Sequence, residues 1–248
     1  MTFCLFSGLA WFPVLTAAFG ALSMVVPFSI GYKYDQLSSK LPFVSDAGSV
    51  APASTFFTFF VVSFAFCCMM TAFIRFSHIR GILGHDKIGI QRANVLALLL
   101  AIIVTIGLNL VASFPESVNF TVHIIGFCMS IGLAPFYCFL QLYLSQKLAS
   151  EGHFPKNKVL FVFRLFLMIV SGVGFLVTSM LFLFEGYTYL YEPEEDEETL
   201  YYTCSGAEWA ATAAFILFLL TLAKEFSAIN VTIFVEVLNG HVNRDETV

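Results

Sequence analysis

Four ionisable side chains lie in or beside long apolar stretches of this 248-residue chain, where their types could support chemistry: Asp46, Glu116, His123 and Glu208. An ionisable group at membrane depth is costly and is therefore a functional hypothesis by default. A carboxylate close to a histidine is suited to general acid–base catalysis. We predict that Asp46, His123 and Glu208 lie at similar depth and meet at the rim of one pocket.

Each of these residues also has a structural interpretation. Asp46 lies in a turn-rich segment that an Asx hydrogen bond would order. His123 is suited to a hydrogen bond between helices. Glu208 is predicted in the first turn of a helix, where the dipole favours a carboxylate. Glu116 is predicted to be a solvated turn residue. The sequence leaves these alternatives open and assigns no catalytic residue.

Sequence motifs for metals, nucleotides or covalent catalysis are absent. The chain contains no HExxH zinc motif, no P-loop and no GxSxG elbow. Its six cysteines follow neither a disulfide framework nor a metal-ligand spacing. Its net charge of −5 gives no indication of nucleic-acid binding. We therefore expect no cofactor, no metal site and no nucleic-acid partner.

The composition predicts a membrane protein. The chain is 58% hydrophobic and 12% charged, whereas a soluble domain carries roughly 25% charged residues. Apolar stretches of about 20 residues, enough to cross a bilayer as a helix, recur along it. The predicted fold is a single all-α domain with six transmembrane helices, at about residues 3–30, 54–76, 93–112, 120–145, 159–184 and 206–223.

The distribution of basic residues predicts the orientation of this bundle. The loops after the second and fourth helices hold most of the lysines and arginines, among them Arg75, Arg80, Lys87, Arg92, Lys147, Lys156 and Lys158. The positive-inside rule then places both termini in the cytoplasm. The basic loops are expected to contact anionic lipid headgroups. Residues 224–248 are predicted to form a cytoplasmic tail that contains an amphipathic helix.

Three segments resemble a known family. They are LPFVSDAGSVAPAS after the first span, IGLNLVASFPESVNFTVHIIGF in the third-to-fourth hairpin, and AEWAATAAFILFLLTLAKEFSAINV in the last span. Together they resemble the damage-regulated autophagy modulator (DRAM) family, within a wider superfamily of Sfk-type proteins and GPI-anchor remodelling factors. The positions that match are Ser45, Asp46, Gly48, Pro52, His123, Gly126, Glu208 and Trp209. Ser45, Gly48, Pro52, Gly126 and Trp209 are interpreted as structural.

The resemblance implies a six-span protein of lysosomes or other endomembranes, with the Golgi and plasma membrane as further locations. It implies a non-enzymatic regulator of autophagy and of stress-linked cell death. Its expected partners are membrane lipids and, at the cytoplasmic loops, autophagy or trafficking proteins. The alternative hypothesis is a lipid-handling protein, either a hydrolase or transferase of the luminal leaflet or a lipid transporter. Such a protein would use Asp46, His123 and Glu208 as its site.

Overall fold

The computed structural model describes residues 8–37, 39–83, 87–184 and 198–229. Within these ranges all regular structure is helical, and six helical segments are long and apolar enough to cross a bilayer. The helices are α1 (Trp11–Lys33), α2 (Ala53–Ile82), α3 (Ile88–Ser113), α4 (Glu116–Phe127), α5 (Ala134–Ser150), α6 (Lys158–Phe184), α7 (Glu198–Thr221) and α8 (Ala223–Phe226). The predicted all-α, six-span fold is confirmed, and the chain is an integral membrane protein.

The fourth span is built from two helices. A π-helical turn, Cys128–Gly132, joins α4 to α5 within one apolar segment, Glu116–Ser150. Pro135 follows in the first turn of α5. Proline has no N–H to donate and its ring crowds the preceding turn, so the helical hydrogen bonds must be rearranged locally. The π-helical turn performs that rearrangement inside the membrane.

The spans form a closed ring in which each packs against the next, and α7 packs against both α6 and α1. Aromatic side chains fill the centre. The Phe215 ring of α7 meets Phe64 of α2 edge-on at 6.3 Å and Tyr137 of α5 edge-on at 6.5 Å between centroids. Such pairs contribute about 0.5–1.5 kcal/mol beyond their buried area. The last span therefore contributes an aromatic side chain to the centre of the ring.

Glycine sets the closest approach between α3 and α4. A Cβ on Gly126 would lie 2.9 Å from the Gly107 carbonyl oxygen, and a Cβ on Gly107 would lie 2.7 Å from the Gly126 carbonyl oxygen. Small residues are enriched at such contacts because they let helix backbones approach closely in a membrane. The family-motif residue Gly126 thus has a packing role.

The two ends of the bundle differ in charge. The acidic end carries residues 39–52, here called the first loop, and the α3–α4 turn. The basic end carries the α2–α3 and α5–α6 connections, which an exposed ion pair between Lys87 and Glu151 joins at 2.8 Å. The cytoplasmic orientation of the basic end remains a prediction.

The beginning of the predicted tail is part of the bundle. Phe226 and Ile229 are buried, and the Leu9 N–H donates to the Phe226 carbonyl at 3.1 Å. Residues 224–229 therefore pack beside the start of the chain instead of leaving the protein. Residues 230–248, where the amphipathic helix is predicted, lie outside the described residues, as does the acidic segment 185–197.

Candidate functional site

The first loop is held against one face of α7. The Ser205 hydroxyl donates to the Leu41 carbonyl at 2.8 Å, and the Trp209 indole N–H donates to the Pro42 carbonyl at 2.8 Å. Non-helical backbone at the edge of a membrane needs such partners, because buried N–H and C=O groups are costly when unpaired. Side chains of the last span therefore supply hydrogen-bond partners for main-chain groups of the first loop, which precedes the second span.

Glu208 completes this first-loop contact. Its Oε2 accepts the Val44 N–H at 2.7 Å, and the side chain is buried. Ser205, Glu208 and Trp209 lie on one helical face, since residues three and four apart are neighbours. α7 begins at Glu198, about three turns before Glu208. The helix-dipole interpretation of Glu208 is therefore wrong, because that effect is confined to the first turn.

Asp46 and Glu116 form a second part of the acidic end. Asp46 begins a short 3-10 turn, Asp46–Gly48, and its Oδ2 accepts the Tyr201 hydroxyl at 3.3 Å. Glu116 lies beside Asp46, close enough for the two carboxyl groups to interact. Glu116 is only 4% exposed, so its interpretation as a solvated turn residue is wrong.

His123 closes the α3–α4 hairpin. The side chain is buried, and its Nδ1 lies 2.8 Å from the carbonyl oxygen of Phe114, the residue that follows α3. A carbonyl can only accept, so Nδ1 carries the proton in this contact. Asn119 has a non-helical backbone, and its Oδ1 accepts the Val122 N–H at 3.2 Å, which caps the helical segment that carries His123.

These residues lie in one neighbourhood, the acidic-end cluster of Asp46, Glu116, His123 and Glu208. Asp46 is within electrostatic reach of Glu208 and of His123, and Glu116 is within reach of Glu208. A cavity of about 50 Å³ adjoins Glu208. That volume accommodates one or two water molecules. All four residues thus lie at the acidic end, but of the four only Glu208 lines the cavity, so their meeting at the rim of one pocket stays a prediction.

The other family-motif residues shape the same end. A Cβ on Gly48 would overlap the Phe57 ring. Pro52 immediately precedes α2, and the Ala51–Pro52 peptide bond is cis. Ser45 lines the cavity beside Glu208. The Trp209 ring also packs edge-on against Phe28, with 5.6 Å between centroids.

A buried ionic cluster at the basic end was not predicted from the sequence. Both Arg164 guanidinium Nη atoms donate to the Glu225 carboxylate, Nη1 to Oε1 and Nη2 to Oε2, each at 2.7 Å. The Arg164 Nε donates to the Thr221 hydroxyl at 2.8 Å. This bidentate geometry is the strong form of a charge-assisted hydrogen bond. It ties α6 to the segment that follows α7.

Arg75 extends the basic-end cluster to α2. Its Nη2 donates to the Ser145 hydroxyl at 2.9 Å and its Nε to the Gln141 side-chain oxygen at 3.4 Å. Arg75 is 0% exposed and Arg164 2% exposed. Nη1 of Arg75 has no partner among the described residues. The cluster of Arg75, Gln141, Ser145, Arg164 and Glu225 therefore buries two positive charges and one negative charge.

The sequence holds a signal for this cluster. Arg75 is predicted as part of a basic loop and Glu225 as part of the tail, because each follows an apolar stretch. Arg164, however, lies inside the apolar stretch of α6. A charge at that position requires a partner of opposite sign at the same depth, and Glu225 lies at the same end of the bundle.

Fold and side chains together define a polytopic helical membrane protein with a buried polar cluster near each end. The chain belongs to the family described as Frag1/DRAM/Sfk1/Cwh43P N-terminal domain, which matches residues 3–229. The predicted family resemblance is confirmed.

Individual relatives are similar over most of the chain. It is 27% identical over 235 residues to DNA damage-regulated autophagy modulator protein 2 of Bos taurus, which covers 91% of this chain and 87% of that protein. It is 22% identical over 240 residues to DNA damage-regulated autophagy modulator protein 1 of Homo sapiens, with coverage of 96% and 99%. Modulator of macroautophagy TMEM150B of Danio rerio is 26% identical over 143 residues, 55% of this chain and 58% of that protein. No solved structure matches the chain significantly.

Proposed function

We propose that this protein is a non-enzymatic regulator of autophagy in an endomembrane, with the lysosome as its principal location and a link to stress-induced cell death. The observation that carries the proposal is similarity over 91% of the chain to a relative named as an autophagy modulator. Nearly full coverage of both chains supports a shared activity of the whole molecule rather than of one segment.

The geometry of the acidic end supports a non-enzymatic role. Glu208 bonds a loop N–H, His123 bonds a carbonyl at the end of α3, and Asp46 accepts a tyrosine hydroxyl. Each of these bonds holds a connecting segment on the bundle. In this proposal the acidic end is a fixed surface, while the basic connections and the tail contact lipids and autophagy or trafficking proteins in the cytoplasm.

The proposal is tested in cells that lack the protein. Wild type is expressed again, and turnover of a lipid-conjugated autophagosome marker is measured with and without inhibition of lysosomal proteolysis. We expect turnover to fall without the protein and wild type to restore it, with the protein found in purified lysosomal membranes. Unchanged turnover in the deficient cells would contradict the proposal.

A variant and its control distinguish the effect of losing the first-loop contact from the effect of general damage to the fold. Ser205→Ala with Trp209→Phe removes two hydrogen bonds to the loop, and we expect reduced delivery to the lysosome together with reduced marker turnover. The control is Ser29→Ala, since that exposed hydroxyl bonds only a carbonyl of its own helix, at 2.7 Å. Equal effects of both variants would argue against a specific role for the contact.

The convergence of three carboxyl groups and one imidazole favours a second candidate function, lipid handling. A carboxylate and a histidine in one site can transfer protons during hydrolysis or group transfer. The test is lipid analysis of isolated lysosomes and Golgi, with wild type, Asp46→Asn, His123→Ala or Glu208→Gln restored. One lipid class corrected by wild type alone, with all variants normally located, would support lipid handling over the regulatory role.

A further inference from the structure

We propose that the cleft between α2 and α3 at the basic end binds one anionic glycerophospholipid, with Arg80 and Arg92 at its phosphate. The cleft has a volume of about 830 Å³ and opens sideways between the two helices. Volumes of roughly 300–1,000 Å³ are typical of ligand sites. This inference does not depend on the proposed role in autophagy.

The polar side chains that line the cleft are those of Arg80, Gln91 and Arg92. Arg80 and Arg92 both line it and both are exposed. The ion pairs of the described part of the chain are Lys87–Glu151 and Arg164–Glu225, so neither cleft arginine has a carboxylate partner there. Guanidinium groups are well matched to phosphate oxygens. Among the described residues, the headgroup end of this cleft therefore carries positive charge with no ion-paired carboxylate.

The remaining wall of the cleft is apolar. Val95, Leu96 and Leu99 line it along α3 and are 46%, 49% and 50% exposed. From Ile88 to Leu99 the helix rises about 16 Å at 1.5 Å per residue, close to the depth of one leaflet, half of the roughly 30 Å hydrocarbon core. A single acyl chain laid along α3 would cover this wall while its phosphate stays beside the arginines.

Gly81 leaves the cleft open. It lines the cleft, and a Cβ placed on it would meet nothing within 4 Å. The other face of the α2–α3 pair is closed, because Ile79 of α2 and Ile90 of α3 are buried in one hydrophobic cluster. The helices are therefore packed on one side and separated on the other.

The test uses the purified full-length protein in detergent, with bound lipid counted by native mass spectrometry. Phosphatidylserine and phosphatidylcholine of equal chain length are offered together. We expect each protein molecule to retain one phosphatidylserine. Arg80→Gln with Arg92→Gln should weaken this binding roughly 25-fold, since each basic group near an anionic surface changes affinity about fivefold. Lys156→Gln with Lys158→Gln makes the same change in charge outside the cleft and should leave binding intact.

A second variant pair tests whether the open volume of the cleft is needed, independently of its charge. Gly81→Leu should fill the cleft and prevent either lipid from binding, while Arg80 and Arg92 are left unchanged. Gly89→Leu is the matched control, because a Cβ there also meets nothing within 4 Å and Gly89 does not line the cleft. The proposal is overturned if both double charge variants lose phosphatidylserine equally, if Gly81→Leu binds like wild type, or if glycerophosphoserine without acyl chains competes as well as the intact lipid.

Discussion

At the scale of single residues, buried hydrogen bonds and ion pairs decide what each polar side chain can do. Glu225 is 7% exposed and both of its carboxylate oxygens bond Arg164. Breaking a buried pair leaves an uncompensated charge, whereas replacing both partners with apolar groups is often neutral. The basic-end cluster is thus sensitive to single changes in a way that a surface ion pair is not.

For this pair, Glu225→Gln is expected to destabilise the protein by about 3–5 kcal/mol. The double change Arg164→Met with Glu225→Leu should cost less than Glu225→Gln, because one buried positive charge, that of Arg75, then lacks a counter-charge instead of two. The midpoint of thermal unfolding in detergent measures both effects. Additive losses in the double variant would show that the two charges do not interact.

For the first-loop contact, Trp209→Phe removes the bond to Pro42 and keeps an aromatic ring against Phe28. We expect a loss of about 1 kcal/mol from the missing hydrogen bond. Trp209→Ala also removes the ring and should cost about 3–5 kcal/mol. Thermal unfolding of the two variants separates the contribution of the hydrogen bond from that of ring packing. Equal losses of stability would mean that ring packing contributes little.

At the scale of helices, close backbone contact explains why certain positions admit only glycine. Gly126→Ala places its Cβ 2.8 Å from the Leu110 Cβ, and we expect a loss of about 1–3 kcal/mol from overpacking. Gly172→Ala is the control, since its Cβ would lie 3.6 Å from the Pro135 Cβ, an ordinary contact. That variant should be neutral or slightly stabilising, because alanine is favoured over glycine in helices. Equal destabilisation by both changes, measured by thermal unfolding, would contradict the packing argument.

How far the sequence predicts these elements depends on how continuous the apolar signal is. The six spans are evident because each is long and apolar. The start of α7 is predicted near Gly206 but lies at Glu198, since the intervening Tyr, Thr, Cys and Ser residues resemble a loop by composition. Because of that difference, Tyr201 and Ser205 are not predicted to be helical. Their helical spacing from Glu208 would otherwise have indicated the first-loop contact.

The candidate sites show the same limit. Asp46, His123 and Glu208 are predicted together from depth alone, and in the structure Asp46 is near enough to each of the other two to interact with it. The partners of Glu208 and His123 could not be predicted, because they are main-chain groups of Val44 and Phe114. Which backbone groups a side chain meets depends on how the helices are arranged around the ring, and a single sequence does not contain that arrangement.

At the scale of the whole molecule, the separation of charge between the ends predicts its orientation. Ser117 lies exposed at the acidic end and Lys156 exposed at the basic end. We expect Lys156→Cys to react with a membrane-impermeant maleimide when only the plasma membrane is permeabilised, and Ser117→Cys to react only after the endomembranes are opened as well. Wild type provides the background from native cysteines. The reverse pattern would place the basic end in the lumen and invalidate the positive-inside assignment.

The first-loop contact has a consequence for the synthesis of the chain. Val44 and Glu208 are 164 residues apart, so at 5–20 residues per second the loop emerges roughly 8–33 s before its partner. During that interval the backbone groups of Leu41, Pro42 and Val44 lack the side chains that satisfy them. A chain that terminates before the last span keeps that loop open, even with five spans inserted. The native contacts of the first loop are thus completed only when the last span has been made, and a chain truncated before that span lacks them.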